Sequence, residues 1–130
     1  LSDVDVASCG GRPILSIFAG TPRPVPIAIS MMERHPLGAQ AFMPLSDHEW
    51  LVVVTPTNAD NSAPDFDGLR CFRARGDQGV TYAPNVWHHP LLVLQPQDFL
   101  IADRAGPEGE TDNPNLQEHW EDAPVAVVAV

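Results

Sequence analysis

Glu33, His35 and Gln40 fall close together in the pattern E-x-H-x4-Q, and a histidine pair, His88 and His89, lies further along the chain. In an extended strand successive side chains point to opposite faces, so Glu33 and His35 share one face and Arg34 takes the other. By the same alternation only one of His88 and His89 looks into an enclosed space, and the other meets a neighbour, a subunit or solvent. Two kinds of chemistry suit such a set. An imidazole with an unperturbed pKa of ~6.5 exchanges protons near working pH, and imidazole nitrogens converging with a carboxylate suit Zn, Ni, Mn or Fe. Gln40 is a poor ligand beside a second His or Glu, which weighs against a firmly held metal. A plain structural role, with Glu33 and His35 on an exposed face or buried and hydrogen-bonded, accounts for the same spacing.

These residues need strands to hold them. The stretch from Gln78 to Leu94, QGVTYAPNVWHHPLLVL, reads as turns at Gly79 and Pro84–Asn85 leading to Trp87 and the histidines, after which Pro90 opens an apolar run. Fourteen prolines cut off any long helix. Short strands are expected over Pro13 to Gly20, Ile27 to His35, Gln40 to Met43, Leu69 to Ala74, Asp98 to Arg104 and Val125 to Val130. Thr21 to Pro26 (TPRPVP) reads as an extended linker, because each proline fixes its own φ and restricts the residue before it. Trp50 to Thr55 (WLVVVT) is a β-branched run of the kind covered on both faces. The polar segment Thr57 to Asp67 is a surface loop with one helical turn begun at Asp65, and Asn115 to Trp120 is expected to form a short helix. Many short strands with little helix predict an all-β barrel or sandwich, in a single domain over 130 residues.

The charge balance narrows the partners. Seven basic residues, all arginine, against seventeen acidic ones give a net charge of −10, which argues against nucleic acid or an anionic membrane. An anionic substrate would need one of the few arginines. Cys9 and Cys71 stand far apart in no metal-binding spacing and read as ordinary thiols of a reducing cytoplasm. There is no signal-peptide pattern and no apolar run near the ~20 residues of a membrane span.

The segments MERHPLGAQAF (Met32 to Phe42), QGVTYAPNVWHHPL (Gln78 to Leu91) and DFLIADR (Asp98 to Arg104) resemble the ureidoglycolate lyase family, also called ureidoglycolate hydrolase. The resemblance runs in order from about Pro13 to Arg104. It implies a cupin-like β-barrel of jelly-roll type, a homodimer, and a cytoplasmic enzyme of purine and allantoin catabolism that splits ureidoglycolate into glyoxylate and urea. The part usual in the family ahead of Leu1 is absent from this sequence, and the acidic loop after Arg104 is longer than expected. Against the first cupin motif, H-x-H-x(3–4)-E, the matching positions hold Glu33, His35 and Gln40. Against the second, G-x5-P-x-G-x2-H, Pro84 leads to His89, Val86 replaces the glycine, and Gly79 sits one residue too close. A divalent metal, Ni or Zn, if bound, would therefore take His35, Gln40 and His89, and no cofactor is certain.

Elimination from such a substrate needs a base at its hydroxyl and an acid at the leaving nitrogen. The expected catalytic set is Glu33, His35 and His89, with His88 as the alternative histidine. Arg104 is expected to bind the substrate carboxylate, with Arg34 second, and Gln40 and Tyr82 the ureido group. Trp87 is expected in the core, and Asp103 beside an arginine. A non-catalytic cupin-like module that binds a small ureido or carboxylate compound is the alternative function. A metal-dependent isomerase or oxygenase is a third.

Overall fold

Proline and turn residues at short intervals divide the chain into twelve strands in the computed structural model, which describes residues 2–130. They are β1 (Arg12–Gly20), β2 (Ile27–Ile29), β3 (Met31–Arg34), β4 (Gln40–Pro44), β5 (Trp50–Thr55), β6 (Arg70–Ala74), β7 (Val80–Tyr82), β8 (Trp87–His88), β9 (Leu92–Val93), β10 (Gln97–Ala105), β11 (Gln117–Trp120) and β12 (Ala126–Val128). One sheet has the order β1-β10-β4-β7. The second has the order β11-β3-β8-β5-β6, with β9 paired alongside β5, and β12 and β2 form a separate ribbon. All pairings are antiparallel. The fold is all-β and cupin-like, as expected. Among the described residues β6 and β7 share no hydrogen bonds, so the barrel is open between its two sheets.

The WLVVVT run is covered on both faces, as its composition predicts, because β5 divides two cores. Trp50 and Val52 pack with Phe42, Tyr82, Phe99 and Ile101 between the sheets. Leu51 and Val53 pack on the other side with Ile29, Met32, Leu92 and Trp87, the last of these a core residue as expected. The ribbon of β2 and β12 supplies Ile27, Ile29, Ala126 and Val128 to this second core.

Two expected elements differ. The strand from Ile27 to His35 breaks at Ser30, whose carbonyl accepts the Glu121 amide at 2.8 Å, and the chain there passes from the ribbon to the second sheet. The expected helix over Asn115 to Trp120 is instead strand β11, paired with β3. Its side-chain bonds show why: Trp120 Nε1 donates to Glu118 at 2.8 Å, joining residues two apart. A strand puts such residues on one face and a helix does not. The expected helical turn forms at Phe66–Gly68, with the Asp65 side chain accepting from the Asp67 amide, and a second short turn lies at Ser8–Gly10. Among the described residues no helix is long and apolar enough to cross a membrane.

Candidate active site

Strand register brings the sequence-predicted residues together from both sheets. Glu33 on β3 lies opposite His88 on β8, and Gln40 on β4 lies opposite Tyr82 on β7. Glu33 and His35 do share a face. Their ligand atoms and one from His88 lie within 4.8 Å of one another. The His35 and His88 ring centres are 5.3 Å apart, and Tyr82 stacks on His88 at 4.0 Å with the rings nearly parallel.

The hydrogen bonds settle which ring nitrogens are free. His35 Nδ1–H donates to the Asn115 carbonyl at 2.9 Å, and His88 Nδ1–H donates to the Val86 carbonyl at 2.9 Å, since a carbonyl can only accept. In the neutral ring Nε2 is therefore the atom that bears the lone pair, and in both residues it is buried without a partner. Buried polar atoms are rarely left so. Glu33 Oε1 lies 3.7 Å from His88 Nε2. Burial pushes the His88 pKa down to about 4, so His88 is neutral at pH 7 and this approach is not an ion pair. Burial also raises the Glu33 carboxyl, offset in part by His35, and burial followed by the Glu33 charge raises the Tyr82 hydroxyl.

His89 does not join the cluster. It is buried at 3 % exposure with Nδ1–H bonded to the Pro90 carbonyl at 2.8 Å, so the second histidine of the pair meets neighbours rather than solvent. Of the expected histidines, His88 is the one in register with Glu33 and clustered with His35, while His89 lines a separate cavity that Glu33 also borders. The potential ligand atoms that converge are those of Glu33, His35 and His88, whereas the expectation was His35, Gln40 and His89.

The two arginines expected at the substrate are spent elsewhere. Arg104 gives its Nε to the Ser8 carbonyl at 3.1 Å, and its terminal nitrogens to Glu110 at 3.2 and 3.0 Å and to the Cys9 carbonyl at 3.4 Å. It is packed so closely that a Cβ on Gly11 or Gly38 would run into its side chain. Arg34 lies on the opposite face from Glu33, as strand parity requires. Its donors reach Gln117 at 2.7 Å and Asn61 at 2.8 and 2.9 Å, and its guanidinium sits 4.4 Å above the Trp87 ring. Asp103 pairs with no arginine and accepts from Gln40 Nε2 at 3.2 Å instead. That bond leaves Gln40 Oε1 and Asp103 Oδ1 buried and unpaired, adding two more acceptors.

Glu33 borders two cavities. One, of about 130 Å³, is also lined by Phe18, Gln40, Phe42 and Leu91. The other, of about 410 Å³, is lined by Arg23, Ser30, His89 and Trp120 among others. Sequence reasoning missed Asn115 and Arg23. Asn115 acts through its backbone carbonyl, which leaves no side-chain signal. Arg23 lies in a segment whose prolines drew attention to the backbone alone.

The fold and site define a cupin-like protein with a candidate small-molecule site made of one carboxylate and two imidazole nitrogens. A family model described as ureidoglycolate lyase matches residues 1–128. Proteins named ureidoglycolate lyase are similar to it: one from Burkholderia mallei, 46% identical over 135 residues, covering 99% of this chain and 76% of that protein; one from Agrobacterium fabrum, 48% identical over 128 residues, covering 98% and 72%; and one from Burkholderia cepacia, 48% identical over 122 residues, covering 92% and 67%. The chain belongs to the ureidoglycolate lyase family.

Proposed function

We propose that this protein is a lyase that eliminates urea from ureidoglycolate, leaving glyoxylate. The observation that carries the reading is the buried set of unpaired acceptors around Glu33, His35 Nε2 and His88 Nε2. A ureido group offers several N–H donors, and the substrate hydroxyl offers one more. Lone pairs with no partner in the protein suit such a donor-rich ligand. The name carried by the relatives favours the enzyme over a binding module.

In the proposed reaction Glu33 takes the proton of the hydroxyl, and the oxygen electrons form the new C=O of glyoxylate. The C–N bond breaks, its electron pair stays on nitrogen, and the proton captured by Glu33 passes to that nitrogen, with His35 Nε2 as the relay, to complete urea. That transfer leaves Glu33 ionised and His35 Nε2 with its lone pair, as both were at the start. A carboxyl raised by burial is a stronger base than an exposed one. His88, held neutral, accepts a ureido N–H and keeps it oriented; Gln40 serves the same group. Acid–base help of this kind contributes typically ~10²–10⁴ in rate.

The same three side chains fit a divalent metal, since each imidazole is fixed through Nδ1–H to a carbonyl and turns its lone pair toward Glu33. Bound there, Ni or Zn would supply Lewis-acid polarisation of a substrate oxygen. Urea and glyoxylate release from ureidoglycolate, measured with chelator and again with added nickel or zinc, tests both forms. Turnover in chelator is the expected result. Turnover only with metal makes the three residues ligands, and none under any condition from folded protein overturns the lyase.

The finer expectations on assembly and compartment also stand as proposals. Among the described residues β1 pairs only with β10 and leaves its other edge open, with Leu15 71% and Ile17 60% exposed. An open, apolar edge of this length invites strand addition by a second copy, so a homodimer is expected in sedimentation; a monomer at micromolar concentration would remove this reading. Both cysteines are free and exposed, which fits a reducing cytoplasm.

A further inference from the structure

Every proposed role above leaves the substrate carboxylate without a cation. Of the seven arginines, Arg34 and Arg104 are fully engaged. Arg73 borders the cavity beside Tyr82 but is paired with Glu49 at 3.3 Å, and Arg75 is paired with Asp77 at 2.9 Å. Arg70 bonds the neighbouring Leu69 carbonyl, and Arg12 borders none of the cavities described above. Arg23 is different. It lines the 410 Å³ cavity together with Glu33, and no hydrogen bond or ion pair claims it among the described residues.

We propose that Arg23 is the anchor for the substrate carboxylate, a role that rests on the lyase reading of the same site. The cavity joins the anchor to the chemistry, because the acceptor that borders it, Glu33, is the proposed base. A guanidinium meets a carboxylate through two parallel hydrogen bonds, which would fix the carbon bearing the hydroxyl and ureido nitrogen toward Glu33. The Ser30 hydroxyl on the same wall can add a third donor. The backbone is prepared for this: Pro22 and Pro24 flank Arg23 and restrict its conformers before any ligand arrives. Glu118 lies on the wall as well, but it already accepts the Trp120 indole N–H at 2.8 Å. In a chain of net charge −10 the single free cation on this wall gives an anion its one favourable place. The Arg23 charge also helps to hold His89, which lines the same cavity, below its ordinary pKa, after the larger effect of burial.

The test compares Arg23→Gln and Arg23→Lys with the unmodified chain. Arg23 is exposed, so neither change should disturb folding, and a thermal melt checks this. For Arg23→Gln we expect KM for ureidoglycolate to rise roughly 10- to 100-fold, the range for losing a charge-assisted bidentate pair, with kcat changed less than about threefold. Arg23→Lys should recover part of the loss. Hydroxymethylurea, which lacks the carboxylate, should be handled alike by all three proteins. Calorimetric titration with glyoxylate gives a readout independent of turnover: binding to the unmodified chain, weakened in parallel in Arg23→Gln. An unchanged KM and unchanged glyoxylate affinity in Arg23→Gln would overturn the anchor. Arg23-dependent glyoxylate binding without turnover by the unmodified chain would sink the lyase reading and leave the anion site standing.

Discussion

Arg34 and His88 lie on neighbouring strands, and both are buried, yet they have opposite accounts of their polar atoms. Arg34 bonds Gln117 and Asn61 through three nitrogens and lies over Trp87. His88 spends one nitrogen on a backbone carbonyl and leaves the other bare beside Glu33 and His35. The first arrangement ties β3 to β11 and to the 57–65 loop, and losing it would loosen the sheet. The second contributes little to holding the sheet and leaves unsatisfied lone pairs aimed at one another. Satisfaction of hydrogen bonds, more than burial or charge, separates residues that build this fold from residues free to act in it.

The largest expected effect is on turnover. Glu33→Gln and His35→Ala should each lower kcat by about 10²–10⁴, as for loss of a general acid or base, with thermal midpoints close to that of the unmodified chain. A large fall in midpoint alongside lost activity would place the cluster with the structural residues instead. Arg34→Met should do the reverse. It strands the Asn61 and Gln117 acceptors and removes the contact with Trp87, for an expected loss of about 2–4 kcal/mol in urea unfolding. KM and kcat of the folded fraction should stay near their original values. A catalytic defect in fully folded Arg34→Met would break the distinction between the two regions.

How much of this was legible in the sequence follows the reach of each physical signal. Local alternation put Glu33 and His35 on one face and Arg34 on the other, and the β-branched WLVVVT run disclosed a doubly covered strand. Register between distant strands was not legible, and it alone decides that His88 rather than His89 stands opposite Glu33. Arg104 looked available because it ends an inner strand, but its partners come from Ser8 and Cys9, in a single 3-10 turn (Ser8–Gly10), and from Glu110 in a loop, segments too short to carry a periodic pattern. The β11 segment misled for a related reason. Its NLQEHW composition is compatible with a helical turn, and only pairing with β3 makes it a strand.

The pH dependence of stability sharpens the comparison at the level of one ring. His88 has a folded pKa of about 4 against an ordinary 6.5, so between those values the unfolded chain binds the proton and the folded chain does not. Stability then rises with pH across this window and is lost as pH falls from 6.5 toward 4, by about 3 kcal/mol in all. Glu33 works in the opposite direction, since its raised carboxyl favours the folded state as pH falls through the raised value. His88→Gln should flatten the acid limb in urea unfolding at a series of pH values, and Glu33→Gln should steepen it. Tyr82 decides whether desolvation is the cause. Tyr82→Phe keeps the ring stacked on His88 at 4.0 Å and should leave the limb where it is. Tyr82→Ala opens one face of the imidazole to water, so the His88 pKa should move back toward 6.5 and the limb should shrink. An acid limb indifferent to the loss of that ring would mean that neighbouring charges, and not burial, hold His88 neutral.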